Sequence, residues 1–181
     1  MSQKNEAGAK TDFLWKTIGR VDSYIGTTNA KAALLIAFET FLLGGLLLKS
    51  GDVLTPLKAT PVAHSWALWL IALTGGLAVL SLWGTLSVVQ PFLTSNKRPG
   101  EYHSRVFFGD IAEVGDARAF VDQVREAETD AMLDDLAQQV HVVSKIAHRK
   151  FVRLRLVTRV AMFAQIPVLF LLLMLALFAA P

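Results

Sequence analysis

The sequence predicts an all-α integral membrane protein with about three transmembrane helices and long cytoplasmic helical extensions that form a bundle. Three observations predict this fold class: three apolar runs of bilayer length, an uneven distribution of Lys and Arg, and helical periodicity between the runs. Hydrophobic residues make up 53% of the 181 residues and charged residues only 18%, whereas about a quarter of an average globular domain is charged.

The three apolar runs match the length of roughly 20 residues that a helix needs to cross a bilayer. The first extends from about residue 32 to 48 and contains Glu39, and the second extends from 66 to 89 without a charged residue. The third extends from 160 to 180 and is interrupted only by Gln165 and Pro167. A buried soluble core could imitate such hydropathy, but the second and third runs lack a polar face of helical length. Residues 1–29 are polar and lack the apolar stretch of a cleavable signal peptide.

The distribution of Lys and Arg predicts the orientation. Of the eighteen, five lie at or before Lys31, two lie in residues 49–65 and eleven lie in residues 93–159. Because cytoplasmic segments next to membrane helices are enriched in Lys and Arg, the N-terminus and residues 93–159 are expected in the cytoplasm and the C-terminus outside. The predicted segments are a cytoplasmic helix at 1–31, two transmembrane helices with a short outer loop at 32–92, a cytoplasmic helical region at 93–157 and a third transmembrane helix at 158–181.

Helical periodicity extends beyond the membrane runs. Apolar residues keep helical spacing from Phe13 to Ile25, so the first helix is expected to begin before the membrane. Residues 94–105 are expected to form a loop, and Asp116 is the expected N-cap of a later helix. Apolar residues then recur at three- and four-residue steps from Leu133 to Leu154. We expect this stripe to pack against the cytoplasmic part of the first helix.

Several functional classes are disfavoured by what the sequence lacks. It has no Cys, so disulfides, thiolate nucleophiles and cysteine zinc sites are excluded. Its four His have no paired spacing, and it has no Gly-rich phosphate loop, H-E-x-x-H or G-x-S-x-G motif. The net charge of +3 does not by itself indicate nucleic acid. We therefore expect no enzyme activity, metal, cofactor or nucleic-acid partner.

Two polar residues in the apolar runs are candidates for an intramembrane role. A charged group at the bilayer centre costs roughly 2.5–3.5 kcal/mol on insertion scales, which makes Glu39 a functional candidate. Glu39 could be protonated, paired across an oligomer or line a water path. The purely structural alternative is a neutral Glu bonded to a neighbouring helix. Gln165 is the second candidate for lining a pore.

Polar residues near the cytoplasmic ends of the runs are candidates for ligand binding. Lys31 could hold a ligand or extend to lipid phosphate, and Asn29 could cap a helix or contact the ligand. One helix face is shared by Asp135, Gln139, Ile146 and Lys150, and this face is either partly buried or solvated. The basic residues before the third run either anchor the helix to anionic lipid or face a phosphate.

The order of these motifs along the chain is similar to that of a known family. The motifs are Asn29-Ala30-Lys31-Ala32 at the first run, Phe107-Phe108-Gly109-Asp110-Ile111 after the second, and Asp135-Leu136-Ala137, Gln139, Ile146-Ala147 and Lys150 before the third. Over roughly residues 20–180 the sequence resembles the transmembrane effectors of the bacterial pyrimidine cyclase anti-phage system, Pycsar. In that family an acidic residue usually stands where this chain has Asn29, so a charge-based role at this position is in question but a hydrogen-bonding role is not.

The resemblance implies a function that composition and periodicity do not. Such effectors are expected to bind cyclic CMP or cyclic UMP made by a partner pyrimidine nucleotide cyclase during infection. They are then expected to impair the bacterial inner membrane as homo-oligomers in the lipid bilayer, after which the infected cell stops growing or dies. The expected contacts are Lys31 or Lys150 with the phosphate, Phe107 or Phe108 with the base, and Gln139, Asp110 or Asp135 with the base edge or sugar. The alternatives are a ligand-independent membrane toxin or scaffold, and a small ion channel subunit in which Glu39 is an ion or proton site.

Overall fold

The computed structural model describes residues 2–91 and 104–178, and these residues form helices joined by short connections. The helices are α1 (Ser2–Leu57), α2 (Pro61–Val89), α3 (Phe108–Ala112), α4 (Ala117–Glu126), α5 (Thr129–Val160) and α6 (Ile166–Phe178). A π-helical turn at Ala161–Gln165 joins α5 to α6. Three helical segments are long and apolar enough to cross a membrane: Asn5–Leu57, Pro61–Val89 and Thr129–Phe178. The predicted all-α membrane fold is confirmed, and helix is present before the first and third apolar runs as expected.

The connection between α1 and α2 is shorter than the expected loop at 49–65. Helix α1 continues to Leu57, and α2 begins at Pro61, so only residues 58–60 lie between them. Pro56 lies in the last turn of α1, where a proline is followed by the end of the helix. Pro61 occupies the first position of α2, where a missing N–H costs nothing because that N–H has no partner within the helix. The expected loop at 94–105 lies outside the described residues except for Ser104 and Arg105.

The chain divides into two compact units. The first unit comprises Met1–Thr27 and Pro91–Arg149, and the second comprises Thr28–Gln90 and Lys150–Pro181. Helices α1 and α5 each contribute residues to both units. The four segments predicted from the sequence are therefore grouped by packing into two units, of which the second contains most of each apolar run.

The first unit has a core in which α1 packs against α5. Ile18, Leu136 and Val143 are buried together. Leu14, Val21, Val106 and Val140 pack around them. The expected contact between the stripe of α5 and the first part of α1 is confirmed. Two stripe members, Ala137 and Phe151, are exposed. Asp116 caps α4 as expected, with Oδ1 accepting a hydrogen bond from the N–H of Ala119 at 2.8 Å.

The second unit packs its three apolar helices along faces of small residues. The buried residues of α2 follow a seven-residue repeat with steps of three and four: Ala67, Thr74, Ala78, Ser81, Thr85 and Val88. Small side chains let helix backbones approach closely within a membrane, where lipid competes with protein for apolar contact. Gly84 shows how close this approach is, because an added Cβ would lie 2.7 Å from Cγ2 of Val157. Ala32, Val88 and Leu154 form a buried cluster near the end of this face.

The π-helical turn changes which residue of the third helix faces inward. From α5 into the first residue of the turn, the buried positions advance by alternating steps of four and three residues: Lys150, Leu154, Val157 and Ala161. The same pattern would next bury Ala164, but Gln165 is fully buried and Ala164 is only half-buried. A π-helical turn inserts one extra residue into a helix, which accounts for the shift. Pro167 is the second residue after the turn, and it has no N–H to donate to the carbonyl of Phe163.

Candidate functional site

Lys150 is the buried basic residue of the second unit, among the residues that the structure describes. It lies on α5 and is only 4% exposed. Its Nζ donates hydrogen bonds to Oδ1 of Asn29 at 3.2 Å, to the carbonyl oxygen of Val88, and to that of Gln90 at 3.4 Å. The two carbonyls lie at the C-terminal end of α2, where helix carbonyls lack intrahelical donors and attract cations. One amine therefore contacts α1 and the end of α2 at the same point.

A neighbouring arginine repeats this contact with the end of α2. Nη1 of Arg153 donates to the carbonyl oxygen of Ser87 at 3.3 Å. Arg153 is exposed, whereas Lys150 is buried. The basic run before the third apolar segment thus contains both an exposed cation, which is suited to lipid headgroups, and a buried one. The structure therefore separates the members of the run by exposure, and their binding to lipid or to a phosphate stays a prediction.

Glu39 and Gln165 form a second polar contact in this unit, within the apolar runs. Nε2 of Gln165 donates to Oε2 of Glu39 at 2.6 Å, and both side chains are fully buried. The bond joins α1 to the last residue of the π-helical turn. The structure shows Glu39 bonded to a neighbouring helix, and pairing across an oligomer or lining a water path stays a prediction.

The first unit contains a network centred on two buried carboxylates. Asp135 is 1% exposed and Asp110 is 4% exposed. Oδ1 of Asp135 accepts from the hydroxyl of Ser104 at 2.7 Å, and Oδ2 accepts from the N–H of Arg105 at 2.7 Å. Oδ2 of Asp110 accepts from the N–H of Ser104 at 2.7 Å. The same Ser104 hydroxyl accepts from the N–H groups of Val106 and Phe107, each at 3.1 Å. Both carboxylates therefore fix the backbone that leads into α3.

The remaining candidates differ in exposure. The rings of Phe107 and Phe108 are in contact, with centroids 4.9 Å apart. Phe107 is buried, whereas Phe108 is 60% exposed and is the ring of the two that a planar ligand can reach. Gln139 is half-buried and Lys31 is exposed. Across residues 2–91 and 104–178, no group of three His, Asp or Glu residues is placed to hold a metal ion.

The sequence relationships of the chain decide its family. No solved structure matches the chain. Residues 13–179 match the Pycsar effector protein domain. The chain belongs to the Pycsar effector family. It is also 32% identical over 133 residues to the Pycsar effector protein RsPycTM of a Rhizobium species, and the match covers 68% of this chain and 71% of that protein.

Membership of the Pycsar effector family confirms the resemblance seen in the sequence. Together with the three helices long and apolar enough to cross a bilayer, it identifies the chain as a membrane effector of anti-phage defence. The family match covers every candidate residue, from Asn29 to Gln165. It does not assign a role to any of them, so their contacts with a ligand remain predictions.

The structure brings some of the predicted residues of this Pycsar effector together. Asn29 contacts Lys150, and Glu39 contacts Gln165. Asp110 and Asp135 are joined through Ser104. Sequence reasoning missed Ser104 and the carbonyls at the end of α2. A Ser three residues before an apolar turn is a weak capping signal, and main-chain carbonyls give no sequence signal at all.

The Asp135 network predicts a large difference between two adjacent acidic residues. Asp135→Ala removes the acceptor of two hydrogen bonds and leaves their donors unpaired, so the free energy of unfolding should fall by about 2–3 kcal/mol. Asp134 is exposed, and Asp134→Ala, which removes the same charge, should change it by less than about 0.5 kcal/mol. Thermal unfolding in detergent, followed by circular dichroism, measures both variants. Equal losses in the two would contradict the network's role in holding residues 104–107.

Proposed function

We propose that this Pycsar effector is activated by a cyclic pyrimidine mononucleotide, cyclic CMP or cyclic UMP, made by a partner nucleotide cyclase, and that the activated protein impairs the inner membrane. The observation that carries the proposal is the position of Lys150. Its amine contacts α1 and the end of α2 while belonging to the helix that continues into the third apolar run. The protein itself catalyses no reaction in this scheme.

The chemistry of the ligand fits this position. A cyclic mononucleotide carries one negative charge on its phosphate, and charge-assisted hydrogen bonds to phosphate are among the strongest available to lysine. To bind the phosphate, the Lys150 amine must turn away from at least one of its oxygen partners in α1 or α2. Binding would then weaken the contact of α5 with α1 or with the end of α2. If the partner that is lost is Asn29, its side chain can bond the ligand instead.

Differential binding explains how a small ligand could act on the membrane. A ligand shifts an equilibrium only by as much as its affinity differs between the two states. If the arrangement with Lys150 on the carbonyls of α2 is the resting state, a ligand that takes this amine favours another packing of the same helices. Three helices of one chain cannot enclose a water path, so the active form would be a homo-oligomer with Glu39 and Gln165 as candidate lining residues.

The first prediction concerns affinity. Isothermal titration of the detergent-solubilised protein against cyclic mononucleotides should show micromolar or tighter binding of one pyrimidine form and no heat from purine forms. Lys150→Ala should lose this binding, because it removes the cation that pairs with the phosphate. Lys145 is exposed on the same helix, and Lys145→Ala should bind as the wild type does.

Circular dichroism separates loss of binding from loss of folding in this titration. A folded Lys150→Ala variant that keeps wild-type affinity would contradict the assignment of Lys150. Wild-type protein that is folded and binds none of the nucleotides would instead favour a ligand-independent membrane toxin.

The second prediction concerns orientation. We propose that the N-terminus and residues 93–159 face the cytoplasm, which is where a cyclase product is released and where the positive-inside rule puts sixteen of the eighteen Lys and Arg residues. Because the chain has no Cys, single-cysteine variants report position directly. A membrane-impermeant maleimide should label Lys58→Cys in intact spheroplasts but label Lys145→Cys only after lysis. Labelling of Lys145→Cys in intact spheroplasts would reverse the orientation.

A further inference from the structure

The contact between Glu39 and Gln165 leaves a hydrogen-bonding imbalance inside the second unit. Gln165 donates to Oε2 of Glu39, but the other oxygen of each side chain, Oε1 in both residues, has no hydrogen-bond partner in the described part of the chain. Both side chains are fully buried. Buried polar atoms are almost always paired, so two unpaired oxygens on one interacting pair require an explanation.

A single proton removes the imbalance. An ionised carboxylate only accepts hydrogen bonds, whereas a carboxylic acid also carries one O–H donor. A carboxylic acid and a primary amide form a pair with two hydrogen bonds, in which the amide N–H donates to one carboxyl oxygen and the carboxyl O–H donates to the amide oxygen. The first bond is present between Gln165 and Glu39. The two oxygens left over are the two atoms that the second bond would join.

The surroundings of the pair supply no competing charge. On α1, Glu39 is the only charged residue between Lys31 and Lys49, and α2 has no charged or titratable residue after His64. The third helix has none from Val160 to the end of α6. An ionised carboxylate with one hydrogen bond in such apolar surroundings would carry a large desolvation cost. A neutral carboxylic acid avoids it.

The packing register indicates what lies beside the pair. Ala32 on α1 packs in a cluster with Val88 on α2, and Leu46 lies against Gly75. Glu39 is midway between Ala32 and Leu46, so it is level with Ser81 on the antiparallel α2. Ser81 is buried, and its hydroxyl oxygen also lacks a partner in the described residues. Three polar side chains on three helices thus share one depth in the apolar runs.

We propose that Glu39 and Gln165 form a proton-binding latch in the membrane-spanning part of this effector. In the state described, Glu39 carries a proton and makes two hydrogen bonds to Gln165, which joins α1 to the third helix. When Glu39 releases this proton to water, the second hydrogen bond is lost and the pair separates. The resulting carboxylate, with Gln165 and Ser81, forms a polar lining that attracts cations. This inference does not depend on the identity of any activating ligand.

Infrared spectroscopy tests the protonation of Glu39 in the wild-type protein. Exposed glutamates ionise at about pH 4.3, so the protein in liposomes at pH 8 should retain a protonated-carboxyl absorption only from a shielded group. This band should shift when the glutamates carry ¹³C in their carboxyl groups, and it should be absent from Glu39→Gln. Absence of any such band from the labelled wild-type protein would overturn the proposal without needing a variant.

Ion flux tests the latch itself. Potassium release from liposomes containing the wild-type protein should be greater at high pH than at low pH, because only the ionised form of Glu39 opens the latch. Glu39→Gln cannot ionise and should lose this pH dependence. Thr74→Val is the matched control, because the Thr74 hydroxyl is buried on α2 but bonds the carbonyl oxygen of Leu70 in its own helix at 2.7 Å. A pH dependence that survives in Glu39→Gln would contradict the latch.

Discussion

The hydrogen bonds of the Lys150 amine are the contact on which the second unit of this membrane effector depends. A lysine buried to 4% exposure must find oxygen acceptors within the protein, because an ammonium group without them is costly in apolar surroundings. The acceptors come from Asn29 on α1 and from the carbonyls of Val88 and Gln90 at the end of α2. These carbonyls need a donor as much as the lysine needs acceptors, since the last carbonyls of a helix have no intrahelical partner. Folding therefore satisfies both groups with one contact.

The third helix connects this contact with the polar pair deeper in the apolar runs. Lys150 and Gln165 are fifteen residues apart, a rise of about 22 Å along an α-helix. Both face inward only because the π-helical turn at Ala161–Gln165 inserts one residue into the pattern of buried positions. Turns of this kind are frequent at functional sites. The third helix packs closely along the small residues of α2, and Val157 lies against Gly84. This packing limits how far the helix can move without breaking the Lys150 contact or the Gln165 contact. A change at the Lys150 end would therefore act on the Glu39–Gln165 pair through a continuous helix.

The sequence was sufficient to predict the features that depend on repeated patterns. The apolar runs, the helical spacing before the first run and the cap at Asp116 follow local rules, and the structure confirms the helices and the cap. A short loop after the first run was predicted, but its bounds at 58–60 were not, because an exposed polar stretch next to a membrane run can be helix or loop. The π-helical turn depends on how Pro167 and the neighbouring helices share space, which no single segment encodes. The partners of Lys150 were beyond prediction because two of them are main-chain carbonyls. The sequence places Asp135 and Lys150 on one polar helix face, and the structure buries both. Each is paired with a segment distant in the chain: Asp135 accepts hydrogen bonds there, and Lys150 donates them.

We propose that a cyclic pyrimidine nucleotide changes the packing of the membrane helices by acting on Lys150. The most direct measurement is the membrane potential of liposomes that contain the full-length protein, recorded with a voltage-sensitive dye while cyclic CMP or cyclic UMP is added on the side of residues 93–159. We expect one of these nucleotides to collapse the potential, as a change in dye fluorescence, and cyclic AMP to leave it unchanged. Liposomes with Lys150→Ala protein inserted to the same extent should keep their potential. A potential that collapses equally without nucleotide, or that no nucleotide changes, would show that the nucleotide does not act in this way.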